Sequence, residues 1–185
     1  TTSTRTWQEQ VWIDEASENF ILPCEEKPLM VSFDGEGELV AEVRFDKDAE
    51  ELAYQAVHDA LPGRIWAMNE MAHRYPTAPH TTRTLSEIIA SKSFWGVRAE
   101  AAMLLGKVRT SGAEAAITQA LRASDYQVRK SAAIALGQMG TASAQQKLRQ
   151  MIKSDVHDDV VATALLALAQ AQPKLEAEFI NAHMN

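Results

Sequence analysis

SFWGVRAEAAMLLG at residues 93–106 and SDYQVRKSAAIALG at residues 124–137 are two copies of one pattern, and they decide the fold. Arg98 and Arg129 are 31 residues apart, and so are Gly106 and Gly137. The alanine content and the apolar spacing of both copies predict a helix. Self-similarity at this period is typical of repeat proteins, in which each copy is one supersecondary unit.

Weaker copies lie on either side, at residues 61–72 and 159–169, the first with Arg64 and the last with Val161 at the arginine position. A second apolar helix is predicted before each copy, at about residues 49–58, 82–90, 113–122 and 143–153. The predicted unit is therefore helix A, a turn and helix B. One such hairpin cannot bury its apolar faces alone, so we expect four units to stack into an α-solenoid. Residues 173–184 are predicted to form a helix that caps the open end.

An aspartate, then Val-Arg, then an alanine-rich helix with Leu-Gly near its end is typical of HEAT-like repeats, and resembles the short type found in phycobilisome lyases. We expect the glycine to end helix B. The arginine lies near the start of helix B, where it can pair with an aspartate of a neighbouring turn. The candidate ladder consists of Arg64, Arg98, Arg129, Asp59, Asp125 and Asp155.

Two interpretations of the ladder are open. The arginines could meet acidic groups of a binding partner, or they could hold the repeats in line, which we favour. Trp66, Trp95 and Tyr126 fall near the same turns. They are candidate surface aromatics for binding, although half-buried packing is the favoured interpretation.

Residues 1–47 follow a different pattern, with the alternation of apolar and polar residues that predicts strands at 6–13, 19–22, 29–33 and 39–45. The sequence DGEG at residues 34–37 predicts a hairpin turn. The predicted fold is thus mainly α, with a small antiparallel β segment at 1–47, part of a larger β-sandwich domain, before a helical repeat domain at 48–185. The abrupt start without methionine predicts a piece of a longer protein or a processed one.

Residues that could support catalysis are sparse. His157 with two following aspartates lacks the ligand number of a calcium loop, and the acids after Cys24 would raise the pKa of a thiol. We expect no catalytic residue, no metal site and no cofactor in this chain.

The formal net charge of −7 argues against nucleic acid as a partner. Since no apolar run approaches ~18 residues, we also expect no membrane association. A single cysteine favours a reducing, cytoplasmic location.

The order of the two halves resembles the C-terminal part of the M1 family of zinc aminopeptidases. The segments that carry this resemblance are FILP at 20–23, KPLMVSFD at 27–34, ELV at 38–40 and FDK at 45–47, followed directly by the HEAT-like stack. In that family a small β-sandwich follows the catalytic domain, and some members continue in HEAT-type repeats. The zinc motif of the family is absent, and the sequence AMNE at residues 67–70 is not its motif for the substrate amino terminus.

The resemblance implies the non-catalytic tail of such an enzyme, with the zinc ion in the upstream domain. Such a tail would pack on that catalytic domain and limit which peptides enter. The alternative is a stand-alone HEAT-repeat scaffold that binds another protein. A third hypothesis, an enzyme of the bilin lyase kind, is based on the repeat type alone, and a repeat framework does not determine function.

Overall fold

A computed structural model describes residues 1–35, 38–39, 44–110 and 112–171. It contains eight α-helices in the described part of the chain. They are α1 (Ala49–His58), α2 (Leu61–Arg74), α3 (Pro79–Ala90), α4 (Trp95–Val108), α5 (Ala113–Ala120), α6 (Tyr126–Met139), α7 (Ala142–Ser154) and α8 (Asp158–Ala171). The eight predicted helices of residues 48–171 are confirmed. The predicted cap at residues 173–184 lies outside the described residues.

The helices form four antiparallel pairs, α1–α2, α3–α4, α5–α6 and α7–α8. Among the described residues, every substantial contact between helices lies within one pair or between consecutive pairs. The helices α2, α4, α6 and α8 pack one on the next, and α1, α3 and α5 form a second row. The result is an open two-layer stack, as expected for an α-solenoid.

The core of the stack lies between the two layers and runs continuously through all four pairs. Leucines from both layers fill it, together with alanines of α4 and α6 that have no exposed surface. The fully buried members of these two groups are Leu52, Leu85, Leu105, Leu136, Leu148, Leu168, Ala101, Ala102, Ala132, Ala133 and Ala135. Small side chains let neighbouring helices approach closely, which explains the alanine content of the repeat.

The repeat glycines do not end their helices, so this expectation is wrong. Gly106 lies inside α4, which runs to Val108, and Gly137 lies inside α6, which runs to Met139. The left-handed residue after each helix is instead Arg109 (φ 51°) or Gly140 (φ 64°). The glycines are required by packing, as the Discussion shows.

The predicted β segment is also wrong, because no strand occurs in the described part of residues 1–47. The strand predicted at 39–45 and the hairpin turn at 34–37 lie partly outside the described residues. The rest of the described segment consists of coil and bends, and its backbone hydrogen bonds join Thr1 to Leu29 and Met30 and Thr2 to Arg5. Alternation shows which side chains could share a face, but a sheet also needs a partner strand. Trp12 is 80% exposed and Ile21 is 94% exposed, so no second layer covers them.

The part of this segment before α1 packs on the first helix pair. Its anchor is Lys47, whose side chain is completely buried. The Lys47 ammonium donates to Gln55 Oε1 at 2.6 Å and to the Val31 carbonyl, and lies 3.4 Å from Glu51 Oε1. The division of the chain into domains at residue 47 stays a prediction. None of the helices in the described ranges has the length and apolar character needed to cross a bilayer.

Candidate interaction surface

The four turns between helix A and helix B lie on one edge of the stack, which we call the turn edge. Like helices pack on like helices from pair to pair, so the loops at 59–60, 91–94, 121–125 and 155–157 all emerge on the same side. The sequence-predicted arginines, aspartates and aromatics all lie at or beside these turns. The turn edge is therefore where the repeat pattern concentrates its polar and aromatic side chains.

The three repeat arginines share one local contact. Each guanidinium donates to a main-chain carbonyl in or just after the preceding helix A. The three bonds are Arg64 Nε to Ala56 O, Arg98 Nε to Ile89 O and Arg129 Nη1 to Ala123 O, and each is 2.9 Å long. The last carbonyls of a helix have no partner within it. The arginine supplies one and thereby fixes helix B against the end of helix A.

Only one of these arginines also pairs with an aspartate of the ladder among the described residues. Arg129 Nε lies 2.7 Å from Asp155 Oδ2, and Arg129 Nη2 lies 2.9 Å from Asp155 Oδ1. This bidentate ion pair connects the third helix pair to the fourth, and the planar guanidinium of arginine suits the geometry. The hydrogen bonds from Arg129 lower the pKa of the Asp155 carboxyl, and Asp155 in turn raises the pKa of Arg129.

The other two aspartates hold local structure. Asp59 accepts hydrogen bonds from Ala60 N (2.8 Å), Gln55 Nε2 (2.7 Å) and Ser32 Oγ (2.9 Å). Asp125 caps α6 by accepting from Gln127 N at 2.9 Å, a common role for aspartate. The structure thus brings together one pair of the candidate ladder. The role of its six residues in binding stays a prediction.

The three predicted aromatics have three different environments. Trp66 is half-buried, with the Lys47 ammonium 5.4 Å from its ring centroid. Trp95 is 40% exposed, and its ring centroid lies 5.0 Å from that of Phe94, which is 55% exposed. Tyr126 stacks on His157 with centroids 3.7 Å apart. Of the three, Trp95 presents the most accessible ring.

Two functional residues were missed by the sequence analysis. Phe94 stands beside Trp95 in the quoted repeat, and its place before a helix B start was a usable signal. Lys47 has no such signal, since a lysine before an acidic helix start is usually solvated. Its burial lowers the pKa of the ammonium, although Glu51 and Asp59 oppose this effect.

A groove opens onto the turn edge between α5 and α7. The volume of this groove is about 510 Å³. Among the described residues α5 and α7 make no contact comparable to those of α1 with α3 or α3 with α5. The Lys147 ammonium, 2.7 Å from Glu114 Oε1, connects the two helices across it. The groove residues used below are Leu121, Arg122, Arg129, Lys147, Asp155 and Val156.

Metal ligands do not cluster in the part of the chain that the structure describes. No group of three or more His, Cys, Asp or Glu side chains there could hold an ion. His157 packs face to face with Tyr126, as described above, and Cys24 Sγ lies 2.7 Å from the Glu26 carbonyl. That the chain needs no cofactor stays a prediction.

Comparison with known proteins gives a family match for part of the chain. Residues 82–169 match the family model described as HEAT repeats. A comparison with curated proteins finds no match. Among solved structures, the chain is similar to one from the complex of CpcE and CpcF of phycocyanin lyase from Nostoc sp. PCC7120. The two chains are 17% identical and have a TM-score of 0.52, over 74% of this chain and 70% of that chain.

These findings correct the expected identity. The similar structure comes from a phycocyanin lyase complex, the family match is to HEAT repeats, and the described residues contain no β-sandwich strand. The assignment to the C-terminal region of an M1 zinc aminopeptidase is therefore wrong. Its implied role in restricting peptide access to a zinc-containing catalytic domain is wrong with it. At 17% identity the likeness shows the fold alone.

Proposed function

We propose that this chain is a HEAT-repeat scaffold that binds another protein through the turn edge. The observation that carries the proposal is the pair Phe94 and Trp95, two adjacent aromatic rings left 55% and 40% exposed beside a rigid helix pair. Exposed aromatic side chains on a fixed backbone are typical anchors of protein interfaces. The similar solved structure comes from a complex of two proteins, which supports assembly as a use of this fold.

The architecture favours binding over chemistry. Several polar groups of the turn edge are engaged in holding the stack, since Arg129 pairs with Asp155 and Asp125 caps α6. Side chains that are already saturated by structural contacts are poorly placed to act on a substrate. The absence of a catalytic centre from this chain is part of the proposal. The lyase activity of the similar complex is not transferred to it.

The test is affinity purification with the wild-type chain and with the double variant Phe94→Ala/Trp95→Ala, followed by reconstitution with each purified candidate partner. We expect a partner whose affinity falls at least tenfold in the double variant, because truncating an interface anchor typically costs more than about 1 kcal/mol. Leu166→Ala is the matched control, since Leu166 is 65% exposed on α8, away from the turns. A partner that binds the double variant as tightly as the wild type would place the interface elsewhere and contradict the proposal.

A further inference from the structure

The groove between α5 and α7 is a break in the outer layer of the stack. Helix α5 has eight residues, whereas α3 has 12 and α7 has 13. Val156, in the loop after α7, lies at the rim of the groove and is 94% exposed. Leu121, at the end of α5, is partly exposed and adds further apolar surface. The groove therefore offers an apolar rim that this part of the chain does not itself cover.

The charges in the groove are mostly already paired. Arg129 is held by Asp155, and Lys147 by Glu114 at 2.7 Å. Arg122 is exposed, and its guanidinium makes no hydrogen bond or ion pair with the residues that the structure describes. One unneutralised cation thus stands beside apolar surface. An occupant that complements this site has a carboxylate next to bulky apolar side chains.

The chain itself contains such a segment at its other end. Residues 12–15 read Trp-Ile-Asp-Glu, with Trp12 80% exposed, Ile13 60% exposed and both acids exposed. The first 60 residues carry 15 of the 25 carboxylates but only four of the 18 lysines and arginines. The remaining residues have an excess of positive charge. Opposite charge on two different surfaces of one molecule favours association between copies.

We propose that the groove between α5 and α7 binds residues 12–15 of a second copy of this chain. In this contact Arg122 pairs with Asp14 or Glu15, and the Trp12 and Ile13 side chains cover Leu121 and Val156. We assign the segment to another copy because two lysines that follow it in the chain are held on the first helix pair, Lys27 by Asp48 at 2.8 Å and Lys47 by Gln55. The groove lies between the third and fourth pairs. This self-association goes beyond the proposed scaffold role and does not depend on it.

The two surfaces differ, so the contact is head-to-tail. Such contacts build open chains, or rings where the rotation closes. One ion pair and two apolar side chains give only weak association. We therefore expect sedimentation equilibrium of the wild-type chain, up to about 500 µM, to show an average mass that rises with concentration.

Two variants break the contact from opposite sides. Arg122→Glu removes the groove cation, and Asp14→Lys/Glu15→Lys reverses the charge of the segment. We expect each variant alone to sediment as a monomer. An equimolar mixture should regain association between unlike chains, because the intact segment of one variant meets the intact groove of the other, and the two changed surfaces carry exchanged, opposite charges. All three substitutions in one chain should restore self-association, since the charges are then exchanged. The changed residues are exposed, and far-UV circular dichroism checks that each variant folds.

Three results would overturn the proposal. They are a wild-type mass that stays monomeric at every concentration, an association that Arg122→Glu leaves unchanged, and a mixture that stays monomeric. A segment that folds back into the groove of its own chain would give the first of these. Loss of partner binding in Phe94→Ala/Trp95→Ala tests the scaffold role separately, because that variant leaves the groove and the segment intact.

Discussion

Gly106 of α4 lies so close to Ala135 of α6 that a Cβ atom added to the glycine would stand 2.7 Å from the Ala135 Cα. The next repeat has the same relationship, since a Cβ on Gly137 would lie 2.7 Å from the Ala167 Cβ of α8. Real Cβ atoms do not approach backbone atoms this closely. The two glycines thus set the distance between consecutive B helices.

Gly106→Ala tests this close approach, because the effect on stability that we expect is opposite to the one that helix propensity alone would give. Helix propensity alone would stabilise the variant by about 1 kcal/mol, because alanine is the better helix former. Crowding against the α6 backbone costs about 1–3 kcal/mol, and we expect it to prevail. Urea unfolding followed by circular dichroism measures the difference. Lys107→Ala, an exposed neighbour on the same helix, should stay within about 0.5 kcal/mol of the wild type. A stabilised Gly106→Ala would show that the helices can separate at little cost.

Arg129 should matter more for stability than Arg98. Arg129→Ala removes the two-pronged contact with Asp155 and two bonds to carbonyls. It leaves a half-buried carboxylate without its cation, which we expect to cost about 2–3 kcal/mol. Arg98→Ala removes one hydrogen bond, to the Ile89 carbonyl, and should cost about 1 kcal/mol. Equal shifts of the two variants in urea unfolding would refute the special role of the Arg129–Asp155 pair.

Glu114 makes the stability of the α5–α7 link depend on acid pH. Hydrogen bonds from Lys147 first, and then from Ser143, lower the pKa of Glu114 from 4.5 to about 2. Because this pKa is lower in the folded state, the stabilisation is fully present above pH 4.5. It is lost as the pH falls toward 2. We therefore expect the wild type to be more stable than Glu114→Gln above pH 4.5. The difference between their free energies of unfolding should shrink as the pH falls toward 2, as measured by urea titrations at a series of fixed pH values. A difference that does not depend on pH would contradict the prediction.

Lys47 should hold the N-terminal segment on the first helix pair. Lys47→Met keeps the apolar stem but loses the ammonium bonds to Gln55 and Val31, so the segment should open more often. A loss of about 1–2 kcal/mol corresponds to roughly 5- to 30-fold faster tryptic cleavage after Arg44, where cleavage follows the open population. The helical circular dichroism should stay unchanged. Lys92→Met, a change at an exposed lysine, is the matched control, and cleavage no faster than in this control would disprove the anchor.

The helices could be predicted because their signal is local. Periodic apolar residues and a repeat of about 31 residues locate α4 and α6 without any tertiary information, and the neighbouring copies follow by offset. The pairing of Arg129 with Asp155 could likewise be anticipated from residue types at recurring turns. These features depend on distances of one repeat or less along the chain.

The errors share a different cause, because they depend on what lies across the fold. Gly106 looks like a helix end in sequence, and only the position of Ala135 shows that it is a packing residue. The alternation in residues 1–47 has no partner strand in the described chain, so the described part of the segment forms no sheet and Trp12 is exposed. Arg64 and Arg98 donate to main-chain carbonyls, and neither forms an ion pair with an aspartate of the ladder in the described residues. The aminopeptidase resemblance failed for the same reason, since it required the sheet.

The break in the outer layer has a mechanical consequence. The first three pairs contact one another through both rows of helices. In the described chain the fourth pair contacts the third chiefly through α6, and on the other side the Glu114–Lys147 ion pair connects α5 to α7. A tilt of the fourth pair about α6 is therefore opposed on its outer side mainly by this one ion pair. Breaking the ion pair, by acid or by substitution of Glu114, should let the final unit change its angle to the rest of the array.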